Sequence, residues 1–312
     1  MVAAGSMGLY LVVKVLWVAS AVLLGSEPSG WGTGEWVTLN LVTVAMAAVG
    51  VAAGLAVAQP WGQRIPAALV VVPLWLGTGF LVSLIPFMGV TAVVRSLDGG
   101  SAEASSPSSD LPGWESVVLS LGFAGMALGL VVGVPLYLRE RWPQTWSTDP
   151  ISLPDDYRLV SGVAGVALAV LAGARLALAA GSHWGLKPGV THVDLEGRAM
   201  AATMGLWCAL ASLAALRAAR TGRAGRLSRV CLFVAAGALV AWGSWLLMIR
   251  SWQPVDFSTP QVTGLAVGLD AAGVVTGLLV AMILVRNLRA PRRCSLPNGR
   301  RAVPAVDRML AP

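Results

Sequence analysis

The chain has 312 residues, of which 56% are hydrophobic and 12% charged, with a mean hydropathy of +0.74 and a formal charge of +7. Soluble domains carry roughly 25% charged residues, so no water-soluble core accommodates this composition and lipid must cover part of it. The basic excess does not point to nucleic acid either: it sits at the ends of apolar stretches and in the C-terminal tail, with no aromatic–basic module. Arginine outnumbers lysine 20 to 2 among residues dominated by Ala, Gly and Val, the bias of a GC-rich bacterial genome.

In chain order, eight stretches reach the length of about 20 apolar residues that crosses a bilayer: 7–25, 37–58, 66–88, 116–138, 159–180, 199–216, 230–249 and 262–285. The fold expected is all-α, a polytopic transmembrane bundle of about eight spans. The first stretch reads as a retained helix, because no Lys or Arg precedes it and Lys14 lies inside it. Between spans six and seven, Arg217, Arg220, Arg223, Arg226 and Arg229 follow one another at every third residue. Short basic loops stay on the cytoplasmic side. Arg64, Arg139, Arg141, Arg158 and seven tail arginines fall on that same side by alternation, against Arg95, Lys187, Arg198 and Arg250 on the other. Both termini are therefore expected in the cytoplasm, with the protein in a bacterial plasma membrane. The arginine spacing matches that of a voltage-sensing helix, but Gly222 and Gly225 interrupt it, so we read it as a topology anchor.

The loop 95–115 is rich in Ser, Gly and Pro and is expected to be flexible. The tail 286–312 is basic and expected to be disordered, either uninvolved or resting on anionic lipid headgroups. Eight of the thirteen tryptophans, Trp142 and Trp146 among them, fall at span ends as an interfacial belt. Cys208, Cys231 and Cys294 form no C-x-x-C motif and leave no disulfide framework.

Spans one and five each run into a Ser/Gly/Trp turn, Ser26 to Gly32 and Gly181 to Gly185, and each half then places a short basic turn between its second and third spans. This pattern suggests a four-plus-four parallel pseudo-repeat: a first half 1–138, a cytoplasmic linker 139–158 and a second half 159–285. The segments G-E-W-V-T-L-N, P-W-G-Q-R-I-P and P-L-W-L-G-T-G, with Trp36, Asn40, Pro60, Trp61, Gly62, Arg64 and Pro66, resemble a family of uncharacterised actinobacterial multi-pass membrane proteins. The likeness covers residues 7–90 best, and it implies an architecture but no activity.

Ionisable groups inside spans are costly, roughly 2.5–3.5 kcal/mol on insertion scales, and mark candidate sites. Three occur: Lys14, Arg175 and Asp270. A rise of 1.5 Å per residue places Arg175 about 24 Å and Asp270 about 22 Å from the inner ends of their spans, but Lys14 only about 10 Å. The preferred partners are therefore Arg175 and Asp270. Asp270 shares a helical face with Ala266, Gly273 and Gly277, and small residues at that spacing face another helix. Lys14 shares its face with Tyr10 and Trp17. A structural ion pair and a proton- or ligand-linked group are both open for Asp270, and snorkelling to headgroups is the plain alternative for Lys14 and Arg175. Asn40 completes the candidate intramembrane polar set. Gly125, Gly129 and Gly133 define a second face expected to pack on a helix. Pro73, Pro86 and Pro135 are candidate kinks.

His183, His192, Asp194 and Glu196 lie in one outer loop, and the last three alternate as they would along an extended segment. They are weak metal candidates, and no motif implies a cofactor or hydrolase chemistry. The leading specific expectation is a small-solute transporter, which requires a polar path to Asp270. A structural or accessory membrane protein requires none. A membrane-embedded enzyme acting on a lipid or isoprenoid requires a pocket at the outer loops, and enzyme activity is the weaker expectation. Lipid is the expected partner.

Overall fold

The computed structural model describes residues 2–25, 31–97, 113–141, 150–252 and 261–289. Their architecture is the expected one, an all-α bundle of eight helices, each long and apolar enough to cross a membrane. The helices are α1 Val2–Leu24, α2 Thr33–Ala58, α3 Ala67–Leu97, α4 Gly113–Arg141, α5 Asp155–Ala179, α6 Leu195–Thr221, α7 Arg226–Trp252 and α8 Thr263–Arg289. α4, α6 and α7 extend beyond both ends of the apolar stretch that announced them, and α1, α2, α3, α5 and α8 beyond one end. Polar and charged residues continue a helix past the hydrocarbon as long as backbone hydrogen bonds can close. α3 and α4 run unbroken through Pro73, Pro86 and Pro135.

The arginine segment changes most. Arg217 and Arg220 belong to the last turns of α6, and Arg226 and Arg229 open α7. The turn itself spans only residues 222–225, with Gly222 in the left-handed conformation at φ 64°. Its two-residue strand β2, Arg223–Ala224, pairs antiparallel with β1, Ile151–Ser152. Leu153, Ala218 and Ala224 are buried beneath that pairing. Arg158 donates to the Ala219 carbonyl and fastens the start of α5 to the end of α6. The linker 139–158 thus shrinks, with α4 reaching Arg141 and α5 beginning at Asp155. Residues 98–112 of the Ser-rich loop, the tail beyond Arg289 with Cys294, residues 26–30, Trp142 and Trp146 lie outside the described residues.

Within residues 2–141, α1 packs on α2, α2 on α3, α3 on α4 and α4 on α1. Within 155–289, α5 packs on α6, α6 on α7, α7 on α8 and α8 on α5. The same circular order of neighbours recurs in both halves. α5 and α6 lie closest because their contact faces are built from small residues. A Cβ on Gly165 would overlap Leu216, and one on Gly205 would overlap Leu176. The Ser161 hydroxyl donates to the Ala215 carbonyl at 2.9 Å and Ser212 donates to Gly165 at 2.7 Å, one bond in each direction.

The halves meet through α3, which packs on α6 and α7. Gly79 lies directly on the backbone of Gly237, and a side chain at either position would strike the other helix. On either side of this crossing a tryptophan reaches over: Trp75 Nε1 donates to the Phe233 carbonyl at 2.8 Å, and Trp242 Nε1 to the Phe80 carbonyl at 3.2 Å. Trp207 adds a third such bond, to the Val82 carbonyl. The in-span tryptophans Trp75, Trp207 and Trp242 are therefore packing groups whose indole N–H groups find carbonyl acceptors across helices.

Candidate functional site

Asp270 stands on the second turn of α8, and three neighbours on its face, Ala266, Gly273 and Gly277, are buried with it. The small residues bring α8 against α7: a Cβ on Gly277 would lie 2.9 Å from the Ala236 carbonyl, and one on Gly243 would lie 3.0 Å from the Asp270 carbonyl. The aspartate is 1% exposed. Its Oδ1 accepts from Arg175 Nη2 of α5, the partnership expected from matched depth. Its Oδ2 faces Arg250 Nη1 of α7 at 2.5 Å, as an ion pair rather than an aligned hydrogen bond. Three helices thus converge on one carboxylate.

Arg250 was expected outside the membrane, beyond a span ending at 249. α7 instead continues to Trp252. Counting helix residues at 1.5 Å each, Asp270 is about 10 Å from its end of α8, Arg175 about 6 Å from the end of α5 and Arg250 about 3 Å from the end of α7. Both arginines reach inward from one face of the bundle, the face opposite the α6–α7 turn. The signal for Arg250 was present in the sequence: Ser251 and Trp252 extend the helix by half a turn.

Beside the cluster lies a cavity of about 30 Å³ lined by Arg175, Asp270, Met200, Met204, Trp242 and Gly273 among others. One water takes up about 30 Å³ in the liquid, and a site needs polar partners to hold it. Arg175 and Asp270 supply them. Among the described residues the cluster carries two guanidinium groups against one carboxylate, one positive charge in surplus. Cys208, 1% exposed, belongs to the surrounding alanine- and leucine-rich core.

Lys14 and Asn40 form a second, separate polar site. Lys14 Nζ donates to Asn40 Oδ1 at 2.9 Å, while Asn40 Nδ2 donates to the Trp36 carbonyl of its own helix. The ammonium lies 4.1 Å from the Trp17 ring centroid and 5.8 Å from that of Tyr10. Trp17 contacts Trp36, which contacts Trp31 edge-on. The face shared by Tyr10, Lys14 and Trp17 does point inward, and it meets α2 rather than Asp270. Aromatic faces so placed attract the ammonium through their quadrupoles.

The loop candidates for metal do not converge. Helix α6 starts at Leu195, so residues 192–196 are not one extended segment and their alternation does not gather the side chains. Asp194 is the N-cap, accepting from the Gly197 amide at 3.2 Å, as an aspartate before a helix commonly does. His192 Nδ1 lies 3.0 Å from the Thr191 hydroxyl, and His183 is exposed. Among the described residues no three His, Cys, Asp or Glu side chains stand close enough to share an ion.

The glycine face of α4 divides. Gly125 packs on Ser6 of α1, whereas Gly129 and Gly133 line a cavity between α2, α3 and α4. The Pro60–Gln63 turn is a short 3-10 helix in which a Cβ on Gly62 would overlap the Ala56 carbonyl. Only glycine fits there. Arg141, from the end of α4, donates to the carbonyls of Gly62, Gln63 and Ile65 and to the Tyr137 hydroxyl. Comparison with protein-family models, curated proteins and solved structures returns no match.

Proposed function

We propose that this integral membrane protein is a permease for a small anionic solute, with the Arg175–Asp270–Arg250 cluster as its recognition site. The observation that supports this reading is the charge surplus: two arginines from α5 and α7 flank one buried carboxylate. Asp270 alone balances one of them. A small anion near the guanidinium groups would balance the other, and it would find donors already aimed at the place Asp270 holds. The carboxylate then acts as an internal stand-in that keeps the arginines paired between turnovers. α7 carries Arg250 and also forms the α3 crossing between the two halves, so motion of one half against the other would be felt at the site. The plasma membrane, with both termini cytoplasmic, is the matching setting.

The test is flux into liposomes holding the purified protein, read with a chloride-sensitive dye and with formate as competitor. Chloride or formate uptake that is lost in Arg250→Gln, with the thermal midpoint little changed, supports the proposal. No uptake of either anion defeats it.

A second reading is favoured by one specific observation: both oxygens of Asp270 are already engaged, by two different helices. On that reading the cluster is a structural tie in an accessory membrane protein. Single cysteines at Ala266, Asp270 and Gly273, in a background lacking Cys208, Cys231 and Cys294, separate the two. Labelling at 270 by a membrane-impermeant thiol reagent supports the permease, and protection at all three supports the tie.

A further inference from the structure

The cavity between α2, α3 and α4 measures about 400 Å³, within the roughly 300–1,000 Å³ typical of small-molecule sites. Its walls are almost entirely apolar: Ala53 and Val57 from α2, Pro73 and Leu74 from α3, Met126 and Leu130 from α4, with Gly50, Gly54, Gly129 and Gly133 opening the space. Gly133 leaves room beside Val57, where a Cβ would lie 3.3 Å from the valine side chain. Leu128 and Val132 form its rim and are 66% and 58% exposed, on the lipid-facing side of α4. The opening therefore looks into the bilayer rather than into water.

Its position along the membrane is also defined. The α2 residues lie within about 12 Å of the end of that helix, and the α4 residues about 10–22 Å from the end of theirs. Both distances are measured from the face that carries the α6–α7 turn. The groove thus runs from that face toward the middle of the membrane, parallel to the helices, as an acyl chain runs. At its base the Arg141 hydrogen bonds hold the end of α4 to the α2–α3 turn at a fixed separation. At the same level two exposed arginines remain, Arg64 in the turn after α2 and Arg139 in the last turn of α4.

We propose that this groove holds one acyl chain of an anionic phospholipid from the surrounding bilayer, with its phosphate met by Arg64 and Arg139. The hydrocarbon fits the apolar walls, and the two cations meet the headgroup where the chain emerges. This site is independent of the Asp270 cluster, and its occupant is part of the resting protein.

The test places the full-length protein in vesicles of phosphatidylcholine with 10% phosphatidylglycerol, a roughly physiological anionic fraction chosen for surface attraction, the phosphatidylglycerol bearing a photoactivatable group on its acyl chain. Cross-links should concentrate on peptides 50–58 and 126–134 over lipid-facing α5 positions such as Val163 and Val170. Val57→Phe, which fills the groove, should remove that excess. Arg64→Gln with Arg139→Gln should leave the fold intact and lower labelling by about fivefold per arginine, while labelling by an uncharged-probe phosphatidylcholine persists. Equal labelling of α5 and α4 overturns the proposal. So does labelling unchanged by both variants. If Val57→Phe fails to fold, the surface arginine pair alone decides between these outcomes.

Discussion

The two halves of this protein surround an intramembrane charge with different groups. In the first half Lys14 donates to the Asn40 side chain and lies over the faces of Trp17 and Tyr10. In the second half Asp270 is gripped by two full opposite charges. The surroundings differ to match. Of the span residues in the helices that carry the cluster, 33% are buried in α5, 50% in α7 and 33% in α8, against 22% and 17% in α1 and α2. A well-buried centre offers little water, so only counter-charge balances a carboxylate there. A span with lipid on most of its surface leaves a lysine room to lean along its stem toward aromatic rings near one face. The difference teaches that the local packing around an intramembrane charge decides whether aromatic faces or guanidinium groups come within its reach.

That contrast can be broken most forcefully at Asp270. Asp270→Asn leaves two arginines without their counter-charge and should cost about 3–5 kcal/mol of folding free energy, measured by denaturation in mixed detergent micelles. Replacing all three members, Asp270→Leu with Arg175→Met and Arg250→Met, should recover most of that loss. Failure to recover would mean that the cluster does more than balance itself. Next in size is the seam between the halves. Gly237→Val drives a side chain into α3 and should cost about 1–3 kcal/mol. Limited proteolysis should then release the two halves as separate fragments more readily than in the parent.

A smaller effect is expected in the first half. Asn40→Leu removes the hydrogen bond from the Lys14 ammonium and the one to the Trp36 carbonyl but leaves the rings around Lys14, so the loss should be about 1–2 kcal/mol and well below that of Asp270→Asn. An equal loss at both sites would erase the contrast. Smallest are Ser161→Ala and Ser212→Ala, each removing one bond between α5 and α6 for about 0.6 kcal/mol. Their effects should add, because the close packing of Gly165 and Gly205 holds the helices whether or not the hydroxyls are present.

Hydropathy alone made the eight spans legible, since backbone hydrogen bonding in lipid leaves few alternatives to a helix. Arg175 and Asp270 were paired from depth because both lie inside apolar runs whose ends are clear. Arg250 escaped because a charge was taken to end a span, whereas an arginine near a face can stay helical and turn inward to a buried acid. Lys14 and Asn40 were both singled out, but depth was measured for the lysine only. From the end of α1 at Leu24, Lys14 lies about 15 Å deep, and from the start of α2 at Thr33 on the same face Asn40 lies about 10 Å deep, within a lysine's reach. In the histidine loop, alternation has meaning only in extended chain, and Asp194 instead caps the helix that starts at Leu195.

The crossing of α3 with α7 also governs how the protein can be made. Trp75 and its acceptor Phe233 are separated by 158 residues. At ribosomal speeds of about 5–20 residues per second, α3 waits roughly 8–30 s for its partner to be synthesised. During that interval the Gly79 notch and the neighbouring carbonyls, already satisfied within their own helix, present a narrow flat strip to lipid. A nascent first half must therefore be able to persist in the bilayer unaccompanied. The tryptophans that later close the seam, Trp207 and Trp242, arrive on the second half, so completion of the molecule is timed by the emergence of α6 and α7.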